Sequence, residues 1–479
     1  MKLPSHRRTT RRFARGLLVL ILATCFGASV GGLAASGVRR EGMDGRGMLK
    51  VDGRPRFVLG LYENPANDRD LEDAIAAGFN LFQCAPDPVA LDRLARFGAK
   101  AWVNVGDALD LGSDVAARKA RLAEIVGRVA NHPALLVWEG PDEILWNQWW
   151  VPMETVRAEL KQMRELAGSD PSLAALAETA RKFLERGLYD DFQRARDAFW
   201  LGANKPCPNP GIRPADAPKR VREVGDGVTA GLRYIRSLDP KHVLWLNHAP
   251  RNSLEDLAWF NREADMVGCD IYPAPANLDV GHSDLTDMSL ASVGAYTRRM
   301  RAAGPGRACA MVLQGFGWQD LRSTVDEHRV ASGIGRRPGF SESRFMAYEA
   351  VLHGANAILY WGTAYAKRVG TEEAGATGRP RLWHDLLRVA REIRALEPAW
   401  LAKPEKPPTV HFERGFGSHD TPGFVVSLRR VGDDVVLCVA NESVHGRRFG
   451  VERLPSSLNG RTLFRLGAPD AFEVREGRF

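Results

Sequence analysis

The sequence lacks the clusters of cysteine and histidine that hold metal ions or carry redox chemistry. Its six cysteines include no CxxC pair and no Cys/His group, which argues against a structural zinc site. Most of them lie in apolar, strand-like runs, where cysteine is usually a small buried hydrophobic residue; these four are Cys84, Cys269, Cys309 and Cys438. No His-x-His pair and no evident serine or thiol nucleophile follows a strand. The sequence therefore predicts a protein with no metal and no other cofactor.

Runs of basic residues are missing from all but the N-terminus. The first 24 residues carry no acid and six basic side chains: Lys2, Arg7, Arg8, Arg11, Arg12 and Arg15. Removing these six charges from the formal net charge of +8 leaves about +2. No remaining stretch is basic enough to indicate a nucleic-acid surface, so we predict no nucleic-acid partner.

The basic N-terminal stretch continues into a short apolar run, "LLVLILAT", and then into small residues. This order is typical of a secretory signal, and the apolar run is too short for a stable membrane span. We therefore predict that residues 1–36 are an export signal and that the protein is periplasmic or extracellular. "LATC", ending at Cys25, also resembles a lipoprotein box, although a threonine precedes the cysteine. A lipid anchor at Cys25 is thus an alternative to a free exported protein.

Short apolar strands alternate with amphipathic helices through most of the chain. Eight such strands are predicted at 56–62, 79–84, 100–106, 134–140, 242–248, 266–273, 308–318 and 355–362. Continuous apolar strands between such helices indicate a parallel sheet that is covered on both faces. Eight units predict an α/β fold, a (β/α)₈ TIM barrel, over residues 37–402. A doubly wound sheet is the alternative, but the Gly-rich phosphate loop after its first strand is missing.

Two segments depart from this regular alternation. Residues 144–241 separate the fourth strand from the fifth by far more than one helix needs, and we interpret them as a helical insertion that covers the strand ends. From about residue 408, apolar and polar residues alternate between Gly, Asn and Asp turns, which predicts an antiparallel β-sandwich over 408–479. All twelve tryptophans precede this domain, the last being Trp400, so we expect it to be structural rather than sugar-binding.

Catalytic residues of such barrels gather where the strands meet their following loops. The side chains predicted at these positions are acids, amides, one imidazole and aromatic rings. They are Glu63, Asn104, Asp142, Glu143, Asn247, His248, Asp270, Tyr272, Gln314, Trp318 and Trp361. Amides and carboxylates bond to sugar hydroxyls, and flat rings cover the C–H faces of a sugar. The set therefore predicts a carbohydrate ligand, and the oligomeric state stays open.

Several of these residues also have a purely structural interpretation. An aspartate after a strand, such as Asp142, is a common helix N-cap. Tryptophans within strands usually fill the core, as we expect for Trp102 and Trp245, whereas Trp361 ends its strand and is expected to support a sugar ring. The adjacent acids Asp142 and Glu143 favour a functional interpretation, because like charges so close together take up different protonation states.

Three stretches resemble the clan of glycoside hydrolases with (β/α)₈ barrels, especially its galactosidase-like and cellulase-like branches. "MLKVDGRPRFVLGLYENP" is similar to their entry hairpin and first strand, and "NHPALLVWEGPDE" resembles the fourth strand, which ends in the acid/base glutamate. "ILYWG" resembles the eighth strand, whose tryptophan lies beneath the sugar. With the trailing sandwich, the resemblance covers nearly the whole mature chain. It implies a glycosidase with Glu143 as general acid and Trp361 below the substrate.

The sequence departs from the clan at two positions. Asp142 stands where the clan has asparagine, and Gln314 stands at the strand-seven position of the nucleophilic glutamate. Glutamine cannot form the glycosyl ester of a retaining double displacement, so we expect Gln314 to bind the sugar instead. Two mechanisms and a third alternative follow: inversion with Asp270 as base, substrate assistance with Asp142 orienting a 2-acetamido group beside Glu143, or a barrel that binds a glycan without cleaving it.

Overall fold

The structure is a computed structural model. It describes residues 42–275, 289–321, 335–367, 381–412, 423–443, 446, 449–466 and 469–479. The predicted signal segment 1–36, with Cys25, lies outside the described residues.

Eight parallel strands form a closed barrel behind an entry hairpin. The hairpin strands are β1 (Lys50–Val51) and β2 (Arg54–Pro55). The barrel strands are β3 (Val58–Leu61), β4 (Leu81–Cys84), β5 (Lys100–Asn104), β6 (Leu135–Glu139), β7 (Val243–His248), β8 (Met266–Ile271), β9 (Ala308–Gln314) and β10 (Ala357–Trp361). Each pairs with the next, and β10 pairs in parallel with β3 to close the ring. The predicted (β/α)₈ barrel is confirmed, and the doubly wound alternative is wrong.

Thirteen α-helices are described around and beyond the barrel. They are α1 (Asp68–Ala77), α2 (Pro88–Arg96), α3 (Val115–Val129), α4 (Ile144–Ala167), α5 (Pro171–Glu185), α6 (Tyr189–Gly202), α7 (Ala217–Leu238), α8 (Leu254–Phe260), α9 (Ser292–Ala303), α10 (Phe340–Leu352), α11 (Thr363–Ala366), α12 (Arg381–Ala395) and α13 (Glu397–Leu401). Local sequence sets several starts: Asp87 caps α2 by accepting from the Val89 amide, and Pro88 supplies a helical φ. Within the described ranges, no helix is long and apolar enough to cross a membrane.

Side chains along each barrel strand alternate between the barrel interior and the layer beneath the helices. In β7, Val243 and Trp245 pack with the interior cluster, while Leu244 and Leu246 pack with the layer between strands and helices. This two-residue period is a property of extended backbone. It determines which polar side chain at a strand end faces the mouth of the barrel and which faces a helix.

Helices α4, α5 and α6 form a separate packed unit between β6 and β7. Their shared core includes Val156, Met163, Phe192 and Phe199. Helix α7 instead packs against α3 and α8, in the ring of helices around the barrel. Within the predicted insertion 144–241, the extra structure is therefore α4 to α6, and α7 completes the fourth strand–helix unit.

The C-terminal segment forms three antiparallel strand pairs. Its strands are β11 (Thr409–Phe412), β12 (Phe424–Val431), β13 (Asp434–Asn441), β14 (Phe449–Glu452), β15 (Thr462–Phe464) and β16 (Ala471–Glu473), paired as β11–β14, β12–β13 and β15–β16. They enclose a small core that contains Leu428, Val451 and Val474. This arrangement agrees with the predicted β-sandwich class. Arg429 ties the domain to the barrel, donating to the carbonyl oxygens of Trp400 and Ala402 at 3.1 Å each.

A buried ion pair in the inserted helices gives a testable prediction. Arg196 donates to both carboxylate oxygens of Glu159 at 2.6 Å, and both side chains are fully buried. Changing Arg196→Met should leave the Glu159 charge buried without a partner, at a cost of about 3–5 kcal/mol to local stability. Native-state hydrogen exchange of α5 and α6 measures the loss. The control, Arg194→Met, removes an exposed partner of Asp191 and should change exchange little; equal protection in both variants would contradict the prediction.

Candidate active site

Four carboxyl groups converge at the carboxyl ends of β6 and β8. Glu139 ends β6, Asp142 and Glu143 follow in the turn to α4, and Asp270 lies in β8. The Asn247 side chain in β7 connects two of them, because its Nδ2 donates to Asp142 Oδ1 at 2.9 Å and to Asp270 Oδ1 at 2.6 Å. Two oxygens that accept hydrogen bonds from the same nitrogen cannot be further apart than the sum of the two hydrogen-bond distances. That sum is below the ~6.5 Å needed for an acid and a base on either side of a water, so Asp142 and Asp270 form one pair.

The backbone at Glu143 has an unusual conformation. Its φ is +50°, in the left-handed region that residues other than glycine rarely adopt. The residue lies at the N-cap position of α4 but makes no side-chain capping bond, and its side chain is half-buried. The capping interpretation of Asp142 is wrong, because its carboxylate accepts from Asn247 instead. Such strain persists where surrounding structure imposes it and often marks a functional turn.

Glu139 is the member of this cluster that the sequence reading missed. Its carboxylate is fully buried and accepts from Tyr62 Oη at 2.7 Å, Trp102 Nε1 at 3.0 Å and Asn104 Nδ2 at 3.0 Å. In the sequence it closes an apolar strand and is followed by a more conspicuous acid pair. The sequence feature that indicates its place in the site is its spacing: Glu139 lies two positions after Val137, on the same face of the strand, which points into the barrel.

Every carboxyl group in the cluster has a raised pKa. Burial raises the pKa of Glu139 to about 8, with a further rise from Asp142, although the three donors act against it. Burial and the Asp142 charge raise the pKa of Glu143 to about 7. Burial, followed by the charges of Asp142 and Glu143, holds the pKa of Asp270 well above its usual range. Loss of hydration also raises the pKa of Asp142, and the hydrogen bond from Asn247 acts against this rise.

Aromatic rings form a wall beside the Asp142–Asp270 pair. The Tyr272 hydroxyl lies beside Asp270, and the Tyr272 ring stacks on Trp361 with centroids 5.8 Å apart and planes 24° apart. Phe316 meets the Trp361 ring edge-on at 4.9 Å and lies 5.3 Å from Trp318. Trp361 is half-buried, so part of its surface faces the mouth. The structure thus brings together Tyr272, Trp318 and Trp361.

The expected core tryptophans lie one layer deeper. Trp102 and Trp245 are fully buried, which confirms that they fill the barrel core. Their rings meet edge-on at 5.7 Å, and Tyr62 packs on both at 5.0 and 5.8 Å. Because Trp102 also donates to Glu139, the same packing positions the buried acid.

The Gln314 side chain is committed to the backbone. Its Oε1 accepts from the Ala274 amide at 2.9 Å, and its Nε2 donates to the carbonyl oxygens of Ala274 at 2.8 Å and Phe316 at 3.0 Å. Both amide hydrogens are therefore used, and the side chain is fully buried. Gln314 ties the end of β9 to the loop after β8, and only a remaining lone pair on Oε1 is left for a ligand.

Two further predicted binding residues have most of their polar atoms occupied by other groups of the protein. Glu63 accepts from Lys367 Nζ at 2.6 Å and from the Thr363 hydroxyl. Asn104 donates to Glu139 and to the Gly140 carbonyl, and its Oδ1 accepts from the Gly106 amide. A cavity of about 380 Å³ lies next to them, lined by Asn64, Gln83, Cys84, Ala85, Pro86 and Asn104.

The structure does not bring His248 to the mouth. This side chain is fully buried, its Nε2 lies 2.8 Å from Asn261 Oδ1, and its ring meets that of Phe260 edge-on at 6.4 Å. Burial lowers the pKa of His248 to about 4. Because Asn247 faces the interior, its neighbour must face α8. The predicted substrate contact by His248 is thus replaced by a packing role, for a reason that strand alternation supplies.

The fold is an eight-stranded parallel barrel of the kind found in glycoside hydrolases. One solved structure, described as a glycoside hydrolase, is 12% identical over 92% of this chain and 91% of its own, with a TM-score of 0.50. A glycoside hydrolase family 5 protein from Bacteroides vulgatus is 13% identical over 89% of this chain and 84% of its own, with a TM-score of 0.49.

β-Galactosidases give weaker matches of the same kind. The enzyme from Rahnella sp. R3 is 14% identical over 73% of this chain, with a TM-score of 0.44. The chain spans between 57% and 60% of the length of this and two further β-galactosidases. No protein-family model matches the sequence, and no curated protein matches it significantly. At these identities the likeness shows the fold.

The raised pKa of Glu139 predicts a specific pH dependence of stability. The pKa of Glu139 in the folded protein, about 8, lies above the ordinary value of 4.5. The contribution of Glu139 to the free energy of unfolding is therefore fully present below about pH 4.5 and is lost as the pH rises towards 8. Changing Glu139→Gln removes this titration. The melting temperature of the wild type should therefore fall relative to that of the variant between pH 5 and pH 8. Parallel curves over this range would mean that Glu139 stays ionised, held by its three donors.

Proposed function

We propose that this protein hydrolyses O-glycosidic bonds, with Glu143 as the general acid. One observation carries the proposal: Glu143, on a strained turn, adjoins Asp142, and its charge acts on Asp270 and Tyr272. The barrel fold of glycoside hydrolases is consistent with it. Carboxylic acids of matched pKa beside flat rings supply the two needs of glycoside cleavage, proton transfer and a surface for the sugar.

Glu143 is suited to donate a proton at neutral pH. With a pKa of about 7, a substantial fraction of the side chain is protonated there, whereas an ordinary glutamate is ionised. The proton passes to the glycosidic oxygen as the bond to the anomeric carbon breaks, and the alcohol leaves without negative charge. The Asp142 charge that raises this pKa is therefore part of the proposed acid.

The Asp142–Asp270 pair supplies the proposed base. Since the two carboxylates accept from the same Asn247 amide, they titrate as a coupled pair. The first ionisation of the pair is easier than the second, because the second places two like charges close together. We assign water activation to Asp270 in an inverting reaction: it takes one proton from water as the oxygen attacks the anomeric carbon. In the substrate-assisted alternative, Asp142 orients a 2-acetamido group, whose oxygen attacks instead.

A glycan-binding barrel without turnover is the second candidate. The observation that favours it is Gln314, because the strand-seven position holds no carboxylate and its amide is used by the backbone. Such a protein would bind sugars on the Trp361 wall and leave them intact. We further propose, from residues 1–36, that either protein acts after export, with or without a lipid on Cys25.

Changing Glu143→Gln tests the general acid. The variant should fold normally and lose about 10²–10⁴-fold in turnover on a substrate with a poor leaving group. In the wild type, kcat/KM should fall as pH rises through about 7, because Glu143 loses the proton that it donates, and the variant should lack this limb. The control, Glu154→Gln, removes a partly exposed acid of the same helix that pairs with Arg157. Equal turnover in all three proteins would exclude Glu143 as the acid.

The configuration of the first product distinguishes the mechanisms. With Asp270 as base, proton NMR during turnover should show an inverted anomeric centre. Retention on 2-acetamido sugars alone would assign the attack to the substrate's own group, and would remove Asp270 from the role of base. Retention on a sugar without that group would mean that a carboxylate outside this assignment is the nucleophile.

A further inference from the structure

We propose that the sugar unit bound at this mouth carries a free ammonium group, as in a glycoside of a de-N-acetylated amino sugar. This inference rests on the proposed function and names its substrate class. Among the described residues, Asp142, Glu143 and Asp270 have no basic partner, whereas other sheltered acids of this chain have one.

In the part of the chain that the structure describes, none of the four acids at the mouth forms a salt bridge. Their described hydrogen-bond partners are neutral: Tyr62, Trp102, Asn104 and Asn247. Neutral donors spread a charge without cancelling it. A concave, largely buried site of one sign concentrates ligands of the opposite sign.

Elsewhere this chain pairs its sheltered acids with cations. Glu159 in the inserted helices is held by Arg196 at 2.6 Å, and Glu397 by Arg394 at 2.6 Å. Even at the rim of the mouth, Glu63 is paired with Lys367 at 2.6 Å. The Lys367 ammonium is therefore already neutralised by Glu63 and does not compensate the acid cluster.

The hydrogen bonds of Asn247 also favour an ammonium ligand. The Asn247 amide donates to both Asp142 and Asp270, and its Oδ1 is buried with no donor among the described residues. Asn247 is 1% exposed, so this amide is part of a built site rather than a surface group. The Asn247 oxygen and the second carboxylate oxygen of Asp142 are acceptors, and neither receives a hydrogen bond from a described residue. An ammonium offers three donors, no acceptor and a full positive charge.

Other sugar substituents satisfy this site less well. A hydroxyl donates one hydrogen bond and brings no charge. An acetamido group has one N–H and a carbonyl oxygen, which would repel the carboxylates that the ammonium attracts. The exposed Asp142 can contact the ammonium directly. It is linked through Asn247 to the buried Asp270, and this pair carries the negative charge. The largely protonated Glu139 and the partly protonated Glu143 contribute hydrogen-bonding groups to the same mouth. The Trp361 and Tyr272 rings favour a cation as well as a sugar face.

The test uses the mature protein and 4-nitrophenyl glycosides of glucosamine and galactosamine, both anomers, with their N-acetyl and 2-hydroxy counterparts. Binding of the free sugars by calorimetry provides a readout that does not need turnover. The ammonium sugars should bind about tenfold or more tightly than the neutral ones, and the difference should shrink as salt rises from 0.05 to about 1 M. Asp142→Asn should remove most of this preference, and Glu154→Gln should keep it.

The outcomes separate the inference from the function on which it rests. Hydrolysis of neutral or N-acetyl glycosides with no preference for the ammonium forms would overturn this inference and leave the proposed glycosidase. Salt-sensitive binding of ammonium sugars without cleavage would support the inference and overturn the glycosidase. Preference for the ammonium forms that survives in Asp142→Asn would place the cation elsewhere and contradict this assignment.

Discussion

The pairing of β10 with β3 is the constraint on which the rest of this structure depends. Because it closes eight parallel strands into a ring, every carboxyl end opens at the same mouth. Asn247 in β7 contacts both Asp142, after β6, and Asp270, in β8. An open sheet in the same order would leave three strands between β3 and β7, so the contact of Tyr62, directly after β3, with Trp245 in β7 at 5.8 Å would be lost.

The acid cluster has an energetic cost that the surrounding packing sustains. Buried like charges raise each other's pKa and oppose folding at high pH. Tyr62, Trp102 and Asn104 offset part of this by donating to Glu139, and they are themselves held in the tightly packed core of the barrel. Stability is thus lower at the site than a neutral core would give, which is the usual relation between a prepared active site and its scaffold.

Gln314 shows how a position at a barrel mouth can carry structure instead of chemistry. Its amide joins β9 to the loop after β8 through three backbone hydrogen bonds. That loop follows Tyr272, which lies beside Asp270 and stacks on Trp361. A glutamate would lose the two donated bonds to Ala274 and Phe316, because an ionised carboxylate only accepts. In this chain the clustered carboxyl groups lie on β6, in the turn after it, and on β8.

The sequence by itself determined the barrel, the antiparallel C-terminal domain and the acids after the fourth strand, because periodicity and turn residues are local properties. Tertiary structure alone decided which of those residues meet. Asn247 lies 105 residues from Asp142 and yet bridges it to Asp270. Glu139 belongs to the site because it lies on the face of its strand that points into the barrel. His248 does not, because the adjacent Asn247 occupies the inward face of β7. Contact across a closed ring depends on register and alternation of several strands at once, and no single stretch of sequence contains that information.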